Sequence, residues 1–128
     1  MHILLVDDMP ANQRVAKLLL TRLGCEVEIA NNGQEAVARF ESDDFDFILM
    51  DLQMPEVDGF EATRRIREIE ARSGVERTPI IAFTANTMED DRRRCSETGM
   101  DDFIAKPIRR DIFESLLERV RDKRLSIS

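Results

Sequence analysis

Three times in this chain a run of four apolar residues stops at a polar one. Ile3-Leu4-Leu5-Val6 precedes Asp7-Asp8, Phe47-Ile48-Leu49-Met50 precedes Asp51, and Ile80-Ile81-Ala82-Phe83 precedes Thr84. Runs this short without polar alternation fit strands buried on both faces, as in a parallel sheet. Between them the periodicity turns helical. From Pro10 onward, Val15, Leu18, Leu19 and Leu23 share one arc, and Gly24 is placed to stop the helix. Cys25 to Ala30 alternates, Val27 and Ile29 against Glu26 and Glu28, which predicts a strand nearer the edge. Asn32 is placed to cap a helix bearing Ala36, Val37 and Phe40. Pro55 and Asp58-Gly59 mark a loop, followed by a helix with Phe60, Ile66 and Ile69 inward that ends at Ser73-Gly74. Thr87 is placed to cap a polar helix ending at Gly99, Asp102 to Ala105 reads as a short strand, and a last helix spans about Arg109 to Lys123.

The rhythm is β-α, five times over. Its predicted fold class is α/β: a five-stranded parallel sheet with helices on both faces and right-handed crossovers, a flavodoxin-like (βα)5 arrangement. At 128 residues there is room for one domain, expected over residues 1–124 with a frayed tail at 125–128.

Composition narrows the chemistry. Acids outnumber bases 26 to 19, for a net charge of −7, which argues against nucleic acid as a partner. No apolar run approaches the ~20 residues of a membrane span, and no leader pattern precedes the first strand. Two cysteines, Cys25 and Cys95, fit unpaired thiols in a reducing compartment, so a cytoplasmic location is expected. The single histidine, His2, excludes Ser-His catalysis in practice and any multi-histidine metal centre; at the chain start it reads as incidental.

The residues with chemical potential sit at strand ends: Asp7 and Asp8, Asp51, Thr84 and Lys106. In an open parallel sheet these ends share one edge, where such folds build ligand sites. Clustered carboxylates near neutral pH must take up protons or bind a cation. With oxygen donors and little nitrogen or sulfur nearby, that cation is expected to be Mg²⁺ rather than zinc. An ammonium and a hydroxyl beside it complete a phosphoryl clamp, and a carboxylate such as Asp51 can accept phosphate as an acyl phosphate.

These residues reach a known pattern. Asp7-Asp8, the stretch Met50-Asp-Leu-Gln-Met-Pro-Glu-Val-Asp-Gly59, Thr84-Ala85 and Lys106-Pro107 resemble the receiver domain of two-component response regulators, over about residues 2 to 121. Asn12-Gln-Arg-Val-Ala16, Glu61-Ala-Thr63, Ala82-Phe-Thr-Ala-Asn86 and Gly99 to Ile108 resemble the receivers of hybrid sensor histidine kinases. The resemblance implies that Asp51 is phosphorylated. It implies that Asp8 binds Mg²⁺ directly and Asp7 largely through water, that Asp51 shares the ion, and that the Gln53 carbonyl supplies a further ligand. Mn²⁺ is expected to substitute. Thr84, Lys106 and the Ala85 amide would hold the phosphoryl oxygens, Thr84 and Phe103 would form a switch, and the Lys106-Pro107 bond is often cis in the family. The implied partner is a histidine kinase or histidine phosphotransfer domain. The domain itself would catalyse only its own phosphorylation and dephosphorylation.

Leu20, outside the arc of Val15, Leu18, Leu19 and Leu23, is expected on the surface with Ala16 at its margin. With Pro107 and Ile108 it would form an apolar rim on which a helical-bundle partner docks. Asp43, Asp44, Asp58, Asp101 and Asp102 read as turn and cap residues, Arg92-Arg93-Arg94 as a solvated face, and Cys95 as half-buried. Three alternatives stand beside the phosphoacceptor reading. A stand-alone single-domain regulator would carry the same residues. A haloacid-dehalogenase-type aspartyl phosphatase needs Asp-x-Asp on its first strand, where this chain has Asp7-Asp8. A flavodoxin-like cofactor binder needs a phosphate-cradling loop that Met9-Pro10-Ala11-Asn12 does not offer.

Overall fold

The computed structural model describes the chain except residues 53, 55–56, 85–88, 107–108 and 123–128, and the side chains of 89–91. Strands and helices alternate from end to end: β1 (His2–Val6), α1 (Pro10–Arg22), β2 (Glu26–Ala30), α2 (Gly33–Ser42), β3 (Phe47–Asp51), α3 (Gly59–Ser73), β4 (Ile80–Thr84), α4 (Glu89–Thr98), β5 (Asp102–Ala105) and α5 (Arg110–Arg121). The strands form one parallel sheet in the order β2-β1-β3-β4-β5. The order reverses between β1 and β3, so their carboxyl ends flank the crevice where open α/β sheets bind ligands.

Alternation along the three apolar runs divides the core in two. Leu4, Val6, Ile48, Met50, Ile80 and Ala82 meet Ala36 of α2, Ala62 and Ile66 of α3 and Cys95 of α4. Ile3, Leu5, Phe47, Leu49, Ile81 and Phe83 meet Ala16 and Leu20 of α1 and Phe113, Leu116 and Leu117 of α5. Burial on both faces is why these strands read as unbroken apolar runs. The caps fall where the sequence placed them. Asn32 Oδ1 accepts from the Glu35 N–H at 2.8 Å, and Asp58 Oδ1 from the Glu61 N–H at 2.9 Å. Thr87, Gln53, Ala85, Pro107, Ile108 and the tail lie outside the described residues.

Four expectations change. In α1, Ala16 and Leu20 are wholly buried, whereas Val15 and Leu18 are 48% and 51% exposed. Apolar residues occupy most of that helix's circumference, so periodicity alone leaves the inward direction open. The small Ala16 lets the backbone approach the sheet, and the inward arc runs through Ala16, Leu20 and Leu23. Asp102 opens the strand expected over Asp102 to Ala105, but it is a buried residue, 1% exposed, whose Oδ2 accepts from Arg119 Nη1 at 2.6 Å. Cys95 is fully buried in the first core half. His2 is not incidental: its ring stacks on Phe45 with centroids 4.7 Å apart. Arg92 to Arg94 are exposed as expected, with the Arg92 and Arg94 guanidinium groups 5.6 and 4.0 Å from the Phe103 and Phe60 ring centroids.

Candidate phosphoacceptor site

The parallel register carries Asp7, Asp51, Thr84 and Lys106 to one edge. Val6 pairs with Met50, Asp51 with Phe83 and Thr84 with Ala105, so the residues following each run emerge at nearly one level. Asp7 is wholly buried and Asp51 is 4% exposed, while Asp8 faces solvent. The Asp7 N–H donates to the Ala30 carbonyl at 3.2 Å and its Oδ1 accepts from the Met9 N–H at 2.9 Å. That fixes one carboxylate oxygen and turns Oδ2 toward Lys106, whose Nζ lies 3.3 Å away.

Lys106 follows β5 and is anchored by its N–H, which donates to the Thr84 carbonyl at 2.7 Å. Its Nζ lies 3.5 Å from Asp51 Oδ2 and 5.1 Å from the Phe83 ring centroid. One ammonium thus bridges two buried carboxylates. One oxygen from each of Asp7, Asp8 and Asp51 lies within 4.8 Å of the others. Among the described residues three carboxylates face the Lys106 ammonium, an acidic excess that a divalent cation would offset. The all-oxygen donor set, with Asp8 open to water, fits Mg²⁺, which keeps several waters and takes few carboxylates.

Glycine makes this geometry possible. A Cβ on Gly59 would stand 2.2 Å from the Asp51 carbonyl oxygen, so the first residue of α3 can lie against the end of β3 only without a side chain. Gly33 does the same for the other side of the loop, where a Cβ would meet the Val57 carbonyl at 2.3 Å. Val57 thereby lies against the start of α2, and Asp51 and Leu52 against the start of α3. Thr63 adds a buried bond, its Oγ1 donating to the Gly59 carbonyl at 2.7 Å.

Thr84 is 3% exposed, and Phe103 is half-buried against the core half bearing Ile80 and Ala82. Because Ala82 pairs with Phe103 and Thr84 with Ala105, Thr84 and Phe103 are diagonal neighbours on one face of adjacent strands. Asp7, Asp8, Asp51, Thr84 and Lys106 therefore gather at one edge, with Phe103 one step below. Ala16 and Leu20 do not belong to it. They are core residues and cannot form a docking rim, because the helix turns that arc onto the sheet.

Sequence reasoning missed Gln13. Its Nε2 donates to the Asp7 carbonyl at 2.6 Å and to Asn31 Oδ1 at 2.8 Å, tying α1 to the ends of β1 and β2. A polar residue on the sheet-facing arc was its signal, hidden while the wrong arc was taken as inward. The supporting part of Gly59 was also missed, since Asp58-Gly59 reads as a turn and nothing in the turn announces the strand end beneath it.

The family model for the response regulator receiver domain matches residues 3–120. Hybrid signal transduction histidine kinase L of Dictyostelium discoideum is 39% identical over 120 residues, covering 91% of this chain and 7% of that protein. The chain spans 6–14% of the length of the curated relatives it matches. The receiver domain of sensor histidine kinase PA1611 from Pseudomonas aeruginosa, with magnesium coordinated in its active-site cleft, is 42% identical with a TM-score of 0.81, covering 92% of this chain and 94% of that one. The receiver domain of the Saccharomyces cerevisiae response regulator Ssk1, in co-crystals with the histidine phosphotransfer protein Ypd1, is represented by a match at 29% identity and TM-score 0.85, covering 95% and 87%.

Proposed function

The chain belongs to the response regulator receiver domains, and from that premise we propose that Asp51 accepts a phosphoryl group from a phosphohistidine in a Mg²⁺-dependent phosphorelay. The observation that carries this reading is the single ammonium of Lys106 set 3.3 Å from Asp7 and 3.5 Å from Asp51. A carboxylate oxygen of Asp51 attacks phosphorus. A P–O bond forms, the P–N bond to the donor imidazole breaks, and the nitrogen keeps the electron pair and takes a proton. Lys106 offers its charge to the phosphoryl oxygens, and Thr84 offers a hydroxyl hydrogen bond from the next strand end. Asp7, Asp8 and Asp51 would hold the ion, which supplies charge neutralisation between the carboxylates and the incoming phosphoryl group. Mn²⁺, another oxygen-preferring cation, would substitute.

The partner in this reading is a histidine kinase or histidine phosphotransfer domain, as Ypd1 is for Ssk1, and the compartment is the cytoplasm. The docking face differs from the one the sequence suggested. Ala11, Val15 and Leu18 lie at i, i+4 and i+7 of α1 and are all exposed, and Met9, 54% exposed, stands beside Asp8. This stripe starts next to the acidic cluster and can take the apolar face of a helical bundle. Switching would run through the Thr84 and Phe103 pair.

The test is intact-mass and peptide mapping after treatment with acetyl phosphate. A labile phosphoryl adduct on Asp51 that needs Mg²⁺ is expected. Labelling of Asp51→Asn at the wild-type rate would overturn the assignment.

A further inference from the structure

At the opposite end of the sheet, His2 opens β1 and is held from three directions. Its ring stacks on Phe45, its main-chain N–H donates to Asp46 Oδ2 at 2.6 Å, and its Nδ1 lies 2.7 Å from the Asp44 carbonyl oxygen. A carbonyl only accepts, so Nδ1 carries a proton, and a neutral ring then keeps its lone pair on Nε2. That nitrogen faces Glu28 Oε2 at 3.0 Å, an ion pair when the ring is protonated, and this oxygen is sealed from solvent with no other hydrogen-bond donor among the described residues.

Two electron-pair donors aimed at each other need a cation between them. A proton can fill the role. Burial alone would lower the His2 pKa, but the Asp44 carbonyl and the Asp43 and Glu28 carboxylates outweigh it, and the pKa is raised. A metal ion can fill it too. Asp43, just past α2, brings a third donor, and one atom from each of the three residues lies within 4.8 Å of the others. Arg39 reaches only the other oxygen of Glu28, at 3.4 Å, leaving Oε2 to the cluster.

We propose that His2, Glu28 and Asp43 form a binding site for a zinc-class divalent transition metal, separate from the carboxylate cluster at the other end of the sheet. An imidazole with two carboxylates suits borderline metals better than Mg²⁺, which prefers oxygen throughout. The bond from Nδ1 to a backbone carbonyl is the outer support that metal-bound histidines usually have. Bonds of about 2.0–2.2 Å to nitrogen and oxygen span the gap between Nε2 and Oε2. The exposed Asp43 leaves a side open for entry and for bound water.

His2 is the sole histidine of the chain, so its imidazole C–H signals in proton NMR report on this place alone. Zn²⁺ is titrated at pH 7.5 with excess Mg²⁺ occupying the other cluster. A saturable one-to-one shift of the His2 signals is expected. Competition with a chromogenic chelator should show about ten-fold or greater loss of zinc affinity in His2→Gln and in Glu28→Gln, and no such loss in Asp8→Asn. Should either variant unfold, the other one and the wild-type spectrum decide. An unmoved His2 signal, or equal zinc affinity in wild type and both variants, would overturn the site and leave a proton as the only bridge.

Discussion

The ammonium of Lys106 and the buried carboxylate of Asp7, 99 positions apart in the chain, lie 3.3 Å from each other. Asp7 follows β1 and Lys106 follows β5, with β3 and β4 between those strands in the sheet. The contact therefore spans the whole site and passes over Asp51. It also sets the charge balance: Lys106 places its ammonium within 3.3 and 3.5 Å of two acids that have almost no contact with water.

Lys106→Ala should therefore destabilise the metal-free protein. Removing one partner of a buried pair costs about 3–5 kcal/mol, and the part of Lys106 that reaches solvent puts the expected loss at or below the lower end. Excess Mg²⁺ should restore more stability to this variant than to wild type, because the ion takes over the lost compensation. Urea melts with and without Mg²⁺ measure the difference. Equal Mg²⁺ stabilisation in both proteins would show that the lysine does not balance these acids. Acetyl phosphate labelling should persist at a reduced level.

Asp51→Asn should abolish labelling and leave the fold intact, since the amide is nearly isosteric but is no longer a carboxylate nucleophile. One repelling charge is gone, so the variant should be the more stable protein when Mg²⁺ is absent. Thermal melts in chelator check the sign: a lower midpoint than wild type would mean that repulsion among the acids is not what governs the empty site.

Gly59→Ala tests the support beneath Asp51. The added Cβ would need to stand 2.2 Å from the Asp51 carbonyl oxygen, a backbone atom that cannot step aside without moving the end of β3. Helix propensity alone favours alanine by about 1 kcal/mol, so a net loss of stability together with slower labelling of Asp51 is the expected result. A stabilised variant with unchanged labelling would show that α3 can shift without disturbing the strand.

The sheet and the gathering of Asp7, Asp51 and Thr84 at one edge were legible because apolar runs and the polar residues ending them are both local signals. Ile3 to Asp7, Phe47 to Asp51 and Ile80 to Thr84 announce buried strands and the polar residues at their ends. Helix α1 was not legible to the same degree. Apolar residues at 15, 16, 18, 19, 20 and 23 fit more than one inward arc, and only contact with the sheet selects Ala16 and Leu20. Asp102 failed for a related reason. An acid opening a short strand looks like a turn residue until Arg119, 17 positions later, is seen to pair with it. His2 carried no sequence signal at all, because its neighbours come from β2 and from the segment after α2.

Burial raises the Cys25 thiol pKa above its ordinary 9.0, and the nearby Asp46 charge adds to this against the opposing amino terminus and Arg121. A raised pKa means that the folded state favours the protonated thiol. The associated stability is fully present below about pH 9 and is lost as pH climbs through the folded value. Cys25→Ala should lose less stability between pH 9 and 10.5 than wild type does, as chemical denaturation at each pH would record. A parallel decline in both would place the alkaline sensitivity elsewhere.

The docking face gives a prediction in which two pairs of substitutions on one helix have opposite consequences. Ala16 and Leu20 are wholly buried, so Ala16→Asp and Leu20→Asp each place a carboxylate against Ile3, Leu5 and Phe113. An uncompensated buried charge costs several kcal/mol, about the whole stability of a domain this size. Both variants should fail to fold, and labelling and phosphotransfer should vanish together. Val15 and Leu18 stand about half exposed on the neighbouring arc. Val15→Asp and Leu18→Asp should change stability by about 0.5 kcal/mol or less and leave acetyl phosphate labelling of Asp51 intact. They should slow transfer from a phosphorylated histidine phosphotransfer domain, because a partner helix would have to bury the new charge against its own apolar face. The measurement is the transfer rate from the radiolabelled partner, with small-molecule labelling of the same preparations as the control. Unchanged transfer in both exposed variants would clear α1 of a docking part.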